Sequence, residues 1–227
     1  WLSLYAVARE LASSRITPID SRSSASVTGL PLITRTAESP RPIPHTVRLP
    51  NMSLSVANVD AVTVLGAHLV PAGADPAEYL DLVTGEMLDA IAPHVSAVDV
   101  FCERGAFDEE ATRRVLESAV AKGLATRVHG NQLGEGPGAK LAVEYGSLSV
   151  DHLGFLNDAD FDALAGSWEN GARGTVATVL PACDLSTRMP LAPARRLIDA
   201  GAVLAIASNC NPGTSYTSSM GFSVATA

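Results

Sequence analysis

The sequence predicts an α/β protein, a partial TIM-type (β/α)8 barrel, and three observations predict it. From residue 59 onward, short apolar runs alternate with amphipathic segments, giving about six strand–helix units. No GxGxxG or GxxxxGK[ST] loop follows any run, which removes the usual support for a doubly wound nucleotide-binding sheet, the other fold with this rhythm. Polar residues close nearly every run: His68, Glu103, His129, Asp151, His152 and Asn209. A barrel of parallel strands carries its chemistry at those C-terminal strand ends.

Composition bounds the function classes. The 227 residues suffice for one large domain. Hydrophobic content is 47% but aromatic content only 5%, so the core is expected to be mostly Ala, Val and Leu. A net charge of −8 without a basic cluster argues against nucleic acid as a partner. No apolar run approaches the roughly 18 residues of a membrane span, so no membrane partner is expected. Trp1–Leu11 lacks the charged start and long apolar stretch of a secretory leader, and a chain opening on Trp reads as a fragment or a processed piece. Cys102, Cys183 and Cys210 are scattered and odd in number, which fits a reducing, cytoplasmic compartment better than a disulfide framework.

Two parts are expected, an irregular segment over 1–58 and the barrel over 59–227. Leu4–Ser13 fits a short helix, whereas 14–50 carries Ser, Thr and Pro without sustained period and reads as irregular chain. Strands are predicted over 62–68, 98–103, 125–130, 148–153, 175–181 and 202–207. Helices are predicted over 75–92, with Pro76 at its first position, over 108–122, capped by Asp108 and ended by Gly123, and over 137–145, 158–165 and 192–200. Six strands cannot close an eight-stranded barrel.

The last strand leads into Ser208-Asn209-Cys210-Asn211-Pro212-Gly213-Thr214-Ser215, a loop dense in amides, hydroxyls and backbone donors. An ordinary polar turn is the competing reading. His129, with Gln132 just behind it, suits a metal ligand beside a hydrogen-bonding amide, or a His bonded to a neighbouring loop. His152, beside Asp151, suits an oxyanion contact or proton relay, or a local capping pair. His68 after Gly66-Ala67 fits a substrate contact or a turn equally. His45 and His94 read as solvated, Cys102 and Cys210 as small packed residues, and Glu103 is left open between catalysis and an arginine partner. Three histidines and one amide-rich loop on neighbouring strand ends suggest metal-assisted hydrolysis.

The motifs LGAH (65–68), LVTGEML (82–88), VDVFCERGAF (98–107), RVHGNQLG (127–134), SVDHL (149–153), VATVLP (176–181) and NCNPGTSYTSSM (209–220) resemble imidazolonepropionase, of the amidohydrolase superfamily. The resemblance runs in order from about Val59 to Ala227. It implies a metal-dependent barrel holding one divalent ion, Zn or Fe. The activity implied is hydrolytic opening of 4-imidazolone-5-propanoate to N-formimidoyl-L-glutamate in histidine degradation. It implies a small-molecule substrate, with a homodimer as the candidate assembly. By the same resemblance His129 is a metal ligand and His152 polarises the attacked carbonyl or steadies the oxyanion. His68, Gln132, Asn211, Gly213 and Thr214 hold substrate.

Three departures accompany it. No HxH pair, which the family carries on its first strand, occurs in the chain. Asn209 stands where the family has a metal-binding, proton-accepting aspartate, and an amide carries no charge and takes no proton at neutral pH. Residues 14–50 lack the family's second strand, although Ser21–Ser24 can be encoded by codons that read Glu-Val-Lys in a shifted frame. These departures leave a second reading from another class: a catalytically silent barrel fragment that at most binds ligand or a partner.

Overall fold

A computed structural model describes residues 61–227. The expected helix at Leu4–Ser13, the expected irregular segment over 14–50, the Ser21–Ser24 stretch and His45 all lie outside the described residues, as does the expected boundary at 58.

Six strands form one sheet: β1 Thr63–Ala67, β2 Ala97–Cys102, β3 Ala125–Gly130, β4 Ser149–His152, β5 Val176–Val179 and β6 Leu204–Ile206. Their order across the sheet is their order along the chain, and every pairing is parallel. A doubly wound sheet reverses direction at a switch point. Here each strand adds on the same side of the last, which is the winding of a (β/α) barrel, and the fold is a partial one. Each observed strand lies within a residue or two of its predicted run.

Alternation along the strands separates two faces. Val64, Val98, Val100, Val128, Val150, Ala177 and Val179 belong to the hydrophobic core, with Val83, Leu116, Leu141, Leu164 and Leu197 from the helices. The opposite face is polar. Asp99, Arg127 and Ser149 are in register across β2–β4, and Phe101, His129, Asp151 and Thr178 form the next row across β2–β5. Apart from Phe101, these side chains are buried. Arg127 Nη1 donates to Ser149 Oγ at 2.8 Å within the first row.

The helices follow the predicted sequence signals with instructive exceptions. The expected helix over 75–92 is two helices, α1 Pro76–Thr84 and α2 Glu86–Ile91, followed by a 3₁₀ turn over Ala92–His94. The break is at Gly85, whose φ of −109° and ψ of −109° are not helical. Asp75 caps α1 by accepting from the amides of Ala77 and Glu78. Helix α3, Glu109–Ala121, is capped by Asp108, and α4 spans Gly138–Glu144. Helix α5, Asp158–Gly166, starts with a reciprocal Asn157–Asp160 capping box. Two helices were not expected. Helix α6, Pro181–Thr187, begins at the proline read as the end of a strand: β5 stops at Val179, and Pro181 lacks only an N–H that a helix start leaves unused. After α7, Ala194–Asp199, the chain ends in α8, Met220–Thr226, capped by the Ser219 hydroxyl.

One close approach positions the site. A Cβ on Gly130, the last residue of β3, would lie 2.9 Å from the Gly138 Cα, and a Cβ on Gly138 would lie 2.8 Å from the Gly130 Cα. The start of α4 is thereby pressed directly against the end of β3. Gly130→Ala is expected to lower unfolding stability by about 1–3 kcal/mol, because backbone must move against backbone. Gly134→Ala, where a Cβ meets nothing within 4 Å, is expected to stay within about 0.5 kcal/mol of the parent. Urea unfolding of both variants checks the difference.

Candidate functional site

The parallel arrangement puts all strand C-termini at one end of the sheet, and three histidines meet there. The His68 and His129 rings are 4.9 Å apart between centroids, edge to face, and His129 and His152 are 5.1 Å apart. Phe101 stacks on His68 at 5.9 Å. His129 and His152 are buried, while the His68 side chain keeps 23% exposure.

His152 reaches this cluster through its backbone. Alternation along β4 would send it to the helix side with Val150. Its φ is +80°, and that of Leu153 is +63°, so the chain leaves the strand in the left-handed region. For residues bearing a Cβ this costs on the order of 1–3 kcal/mol each. Asn131 at the end of β3 (φ +56°) and Asn209 beyond β6 (φ +49°) share the conformation. Four of the five non-glycine residues with positive φ among the described residues therefore sit at strand C-termini.

The group that organises the histidines is Asp99, in the middle of β2, which the sequence reading did not single out. His129 Nδ1 lies 3.0 Å from Asp99 Oδ1 in a hydrogen bond. His68 Nε2 lies 3.6 Å from Asp99 Oδ2. Asp151 Oδ2 is 3.6 Å from His129 Nδ1 on the other side. Burial alone would lower the His129 pKa, but the Asp99 carboxylate outweighs it, Asp151 adds, and the imidazolium is held up to about 9. Burial alone would raise the Asp99 carboxyl, but His129, and less strongly His68, hold it below the usual carboxylate range. His152 is pushed well down by burial and by the charge on His129. Burial also lowers His68, which Asp99 partly offsets.

Two strand-end loops frame the cluster. Glu103 is neither paired with an arginine nor aimed at the histidines: its carboxylate accepts the backbone amides of Gln132 and Leu133. The Asn131 amide, fully buried, donates to the carbonyls of Phe155 (2.9 Å) and Gly136 (3.2 Å) and accepts from the Ala139 amide at 3.0 Å. The half-buried Gln132 is thus held by its backbone at the mouth. In the loop after β6, the Asn211 side chain accepts from the amides of Gly213 (2.8 Å) and Thr214 (2.7 Å) and donates to the Asn209 carbonyl at 2.7 Å. Ser215 Oγ donates to the Ser208 carbonyl. Asn211 is therefore spent on holding the turn that presents the exposed Gly213 and half-buried Thr214. Asn209 is buried at the same end of the sheet, and its side chain, like that of Thr214, contacts the buried Cys183 thiol, whose pKa burial raises. Cys102 is buried, Cys210 is half-buried and all three cysteines are free.

The site suits a divalent ion in its donor chemistry. His68, Asp99 and His129 each offer a ligand-type atom, and these atoms lie within 4.8 Å of one another. Two imidazoles and one carboxylate are the donors a divalent transition ion takes. His68 Nε2 and His152 Nδ1 are buried without a hydrogen-bond partner, so the cluster holds more ligand capacity than its own side chains use. Of the two ligands the resemblance implies in this chain, His129 is in that group. No helix among the described residues is long and apolar enough to cross a membrane.

Fold and site together define a partial (β/α) barrel with imidazole and carboxylate donors gathered at its strand C-termini. The chain is a relative of the imidazolonepropionases over part of their length. It is 64% identical over 181 residues to the imidazolonepropionase of Paenarthrobacter aurescens (strain TC1), a match covering 77% of this chain and 44% of that protein. It is 66% identical over 172 residues to that of Arthrobacter sp. (strain FB24), covering 74% and 43%. The chain spans less than half the length of these curated relatives. No family model matches it. Among solved structures, a zinc-bound adenosine deaminase from Xanthomonas campestris aligns with a TM-score of 0.45 at 17% identity, covering 64% of this chain and 36% of that one. A 5-methylcytosine deaminase from Klebsiella pneumoniae gives 0.45 at 15% identity, covering 63% and 39%.

The Asp99–His129 pair generates a test in metal-free protein. Asp99→Asn and His129→Gln are each expected to cost about 3–5 kcal/mol, because each leaves the other member without its partner in a buried setting. The double variant is expected to cost less than the sum, by about 0.5–3 kcal/mol. Denaturant unfolding of all four proteins measures this coupling, and strict additivity would separate the two side chains.

Proposed function

We propose that the chain carries half of an imidazolonepropionase site, for the hydrolytic opening of 4-imidazolone-5-propanoate to N-formimidoyl-L-glutamate. The observation that carries this reading is the meeting of His68, His129 and His152 at one end of a sheet whose sequence is 52–66% identical to several imidazolonepropionases. In the reaction, water adds to the ring carbonyl carbon. The bond from that carbon to the ring nitrogen then breaks, and the nitrogen leaves with a proton.

His129 is the metal ligand this chain supplies, for one divalent ion, Zn or Fe. Such an ion, when bound, brings a water's pKa from about 15.7 toward 7. His152, buried over His129, donates a hydrogen bond to the carbonyl oxygen as it gains charge. His68 and Gln132 contact the imidazolone. Gly213 and Thr214, on the turn that Asn211 holds, take the propanoate carboxylate and amide end. Catalysis belongs to a cytoplasmic, small-molecule enzyme, with a homodimer as its candidate assembly.

Asn209 is the specific observation behind the second reading, a silent fragment. It offers neither the charge nor the proton acceptor of an aspartate, and with no HxH in the sequence the ligand set is short. Three proteins separate the readings: this chain, its Asn209→Asp variant, and that variant joined to the flanking N- and C-terminal segments of a curated relative. The first two are expected to hold little metal by elemental analysis and to turn over little imidazolonepropionate. The third is expected to hold about one ion per chain and to be active, and to lose both with His129→Ala. An inactive third protein with its metal bound would overturn the proposal. Stoichiometric metal and turnover in the unmodified chain would overturn the silent reading.

A further inference from the structure

We propose that Asp99 is the positioning residue of this site: one buried carboxylate orients two imidazoles, taking Nδ1–H of His129 and Nε2–H of His68. Its functional consequence rests on the proposed reading, in which His129 ligates a metal and His68 meets substrate.

Four observations carry it. Asp99 is fully buried in the middle of β2, on the interior face, two residues before Phe101, whose register partner is His129. Its carboxylate is hydrogen-bonded to His129 Nδ1, at 3.0 Å from Oδ1. Its second oxygen lies 2.9 Å from the same His129 Nδ1 and 3.6 Å from His68 Nε2, a buried nitrogen without a hydrogen-bond partner. Neither ring is free to turn away: His68 is stacked on Phe101 and set edge-on to His129, which is itself packed against His152.

The chemistry follows from the geometry. A carboxylate only accepts, so the ring nitrogen facing it must carry the proton. With Nδ1–H committed to Asp99, the basic nitrogen of neutral His129 is Nε2, which is then the atom available to a metal. A hydrogen-bonded second partner of this kind fixes the tautomer and direction of a ligating imidazole, and its loss typically costs 10–100-fold in metal affinity. The same carboxylate selects the Nε2–H form of neutral His68 and sets its ring at a fixed angle to His129. A second role is also open to the same atoms: Asp99 could itself ligate, with an ion in place of the Nδ1 proton. The hydrogen-bonded contact between Asp99 and His129 favours positioning.

The test is a long-range ¹H–¹⁵N spectrum of the histidine side chains in the uniformly labelled, chelator-treated chain, at a pH where both rings are neutral. His129 is expected as the Nδ1–H tautomer and His68 as the Nε2–H tautomer. Asp99→Asn, which can donate as well as accept, is expected to let the His129 proton move to Nε2. The parent spectrum alone suffices should that variant fail to fold, since His129 protonated on Nε2 with a bare Nδ1 would overturn the proposal. Excess Zn²⁺ is then added. An Nε2 shift with the His129 Nδ1–H signal retained supports positioning, loss of that signal would make Asp99 a ligand and overturn it, and with no zinc bound the tautomers of the metal-free chain decide. Both readouts are independent of turnover, so an inactive enzyme would count against the proposed function and leave the tautomers to decide this point.

Discussion

Burying a carboxylate without a counter-charge costs several kcal/mol, and Asp99 is fully buried in the middle of a strand. The rest of the site meets that constraint. His129 supplies the charge and the hydrogen bond from the neighbouring strand, at the next interior position, and His68 approaches Oδ2 from the strand before. The interior face of the sheet is polar over β2–β5 because one buried charge calls for others: Arg127 and Asp151 lie on the same face, within the reach of His129's electrostatics. The opposite face is a conventional aliphatic core against the helices, and it stabilises the frame in which this polar row is tolerated.

A second cost is taken in the backbone. Left-handed conformations at Asn131, His152, Leu153 and Asn209 mark the strand ends, and at His152 the turn brings inward a side chain that alternation would send outward. The Gly130–Gly138 contact brings α4 close enough for Asn131 to cap it, and Glu103 fixes the amides of the next two residues. Strain at the mouth is thus supported by hydrogen bonds to loop backbone. None of those bonds uses Gln132's own side chain.

The strands were legible because a buried parallel strand is a short apolar run between breakers, and two helix starts because Pro76 suits a first turn and Asp108 is a plain cap. Helix α6 was not, since Pro181 after an apolar run reads as its end, and only tertiary context makes it a first turn. Residues at strand ends were found because polar side chains stand out there. Asp99 was missed because it sits inside VDVFC, where the apolar neighbours dominate the reading. A signal was present: an acidic residue at an alternate position of a strand buried on both faces must have a partner. At Asn211 the structure adds a role that the sequence leaves unstated. An amide in a Pro-Gly turn is as apt to build the turn as to bind a ligand, and here its side chain does the former.

Asn209 leaves the frame untouched and alters only the chemistry available at the mouth, so the convergence of the three histidines is the claim on which the account stands. Ring-to-ring nuclear Overhauser effects in the folded, metal-free chain test it most directly. With centroids 4.9 and 5.1 Å apart, the His129 ring protons are predicted to show effects to the rings of both His68 and His152. A folded protein in which His129 shows neither would contradict the convergence of these strand ends.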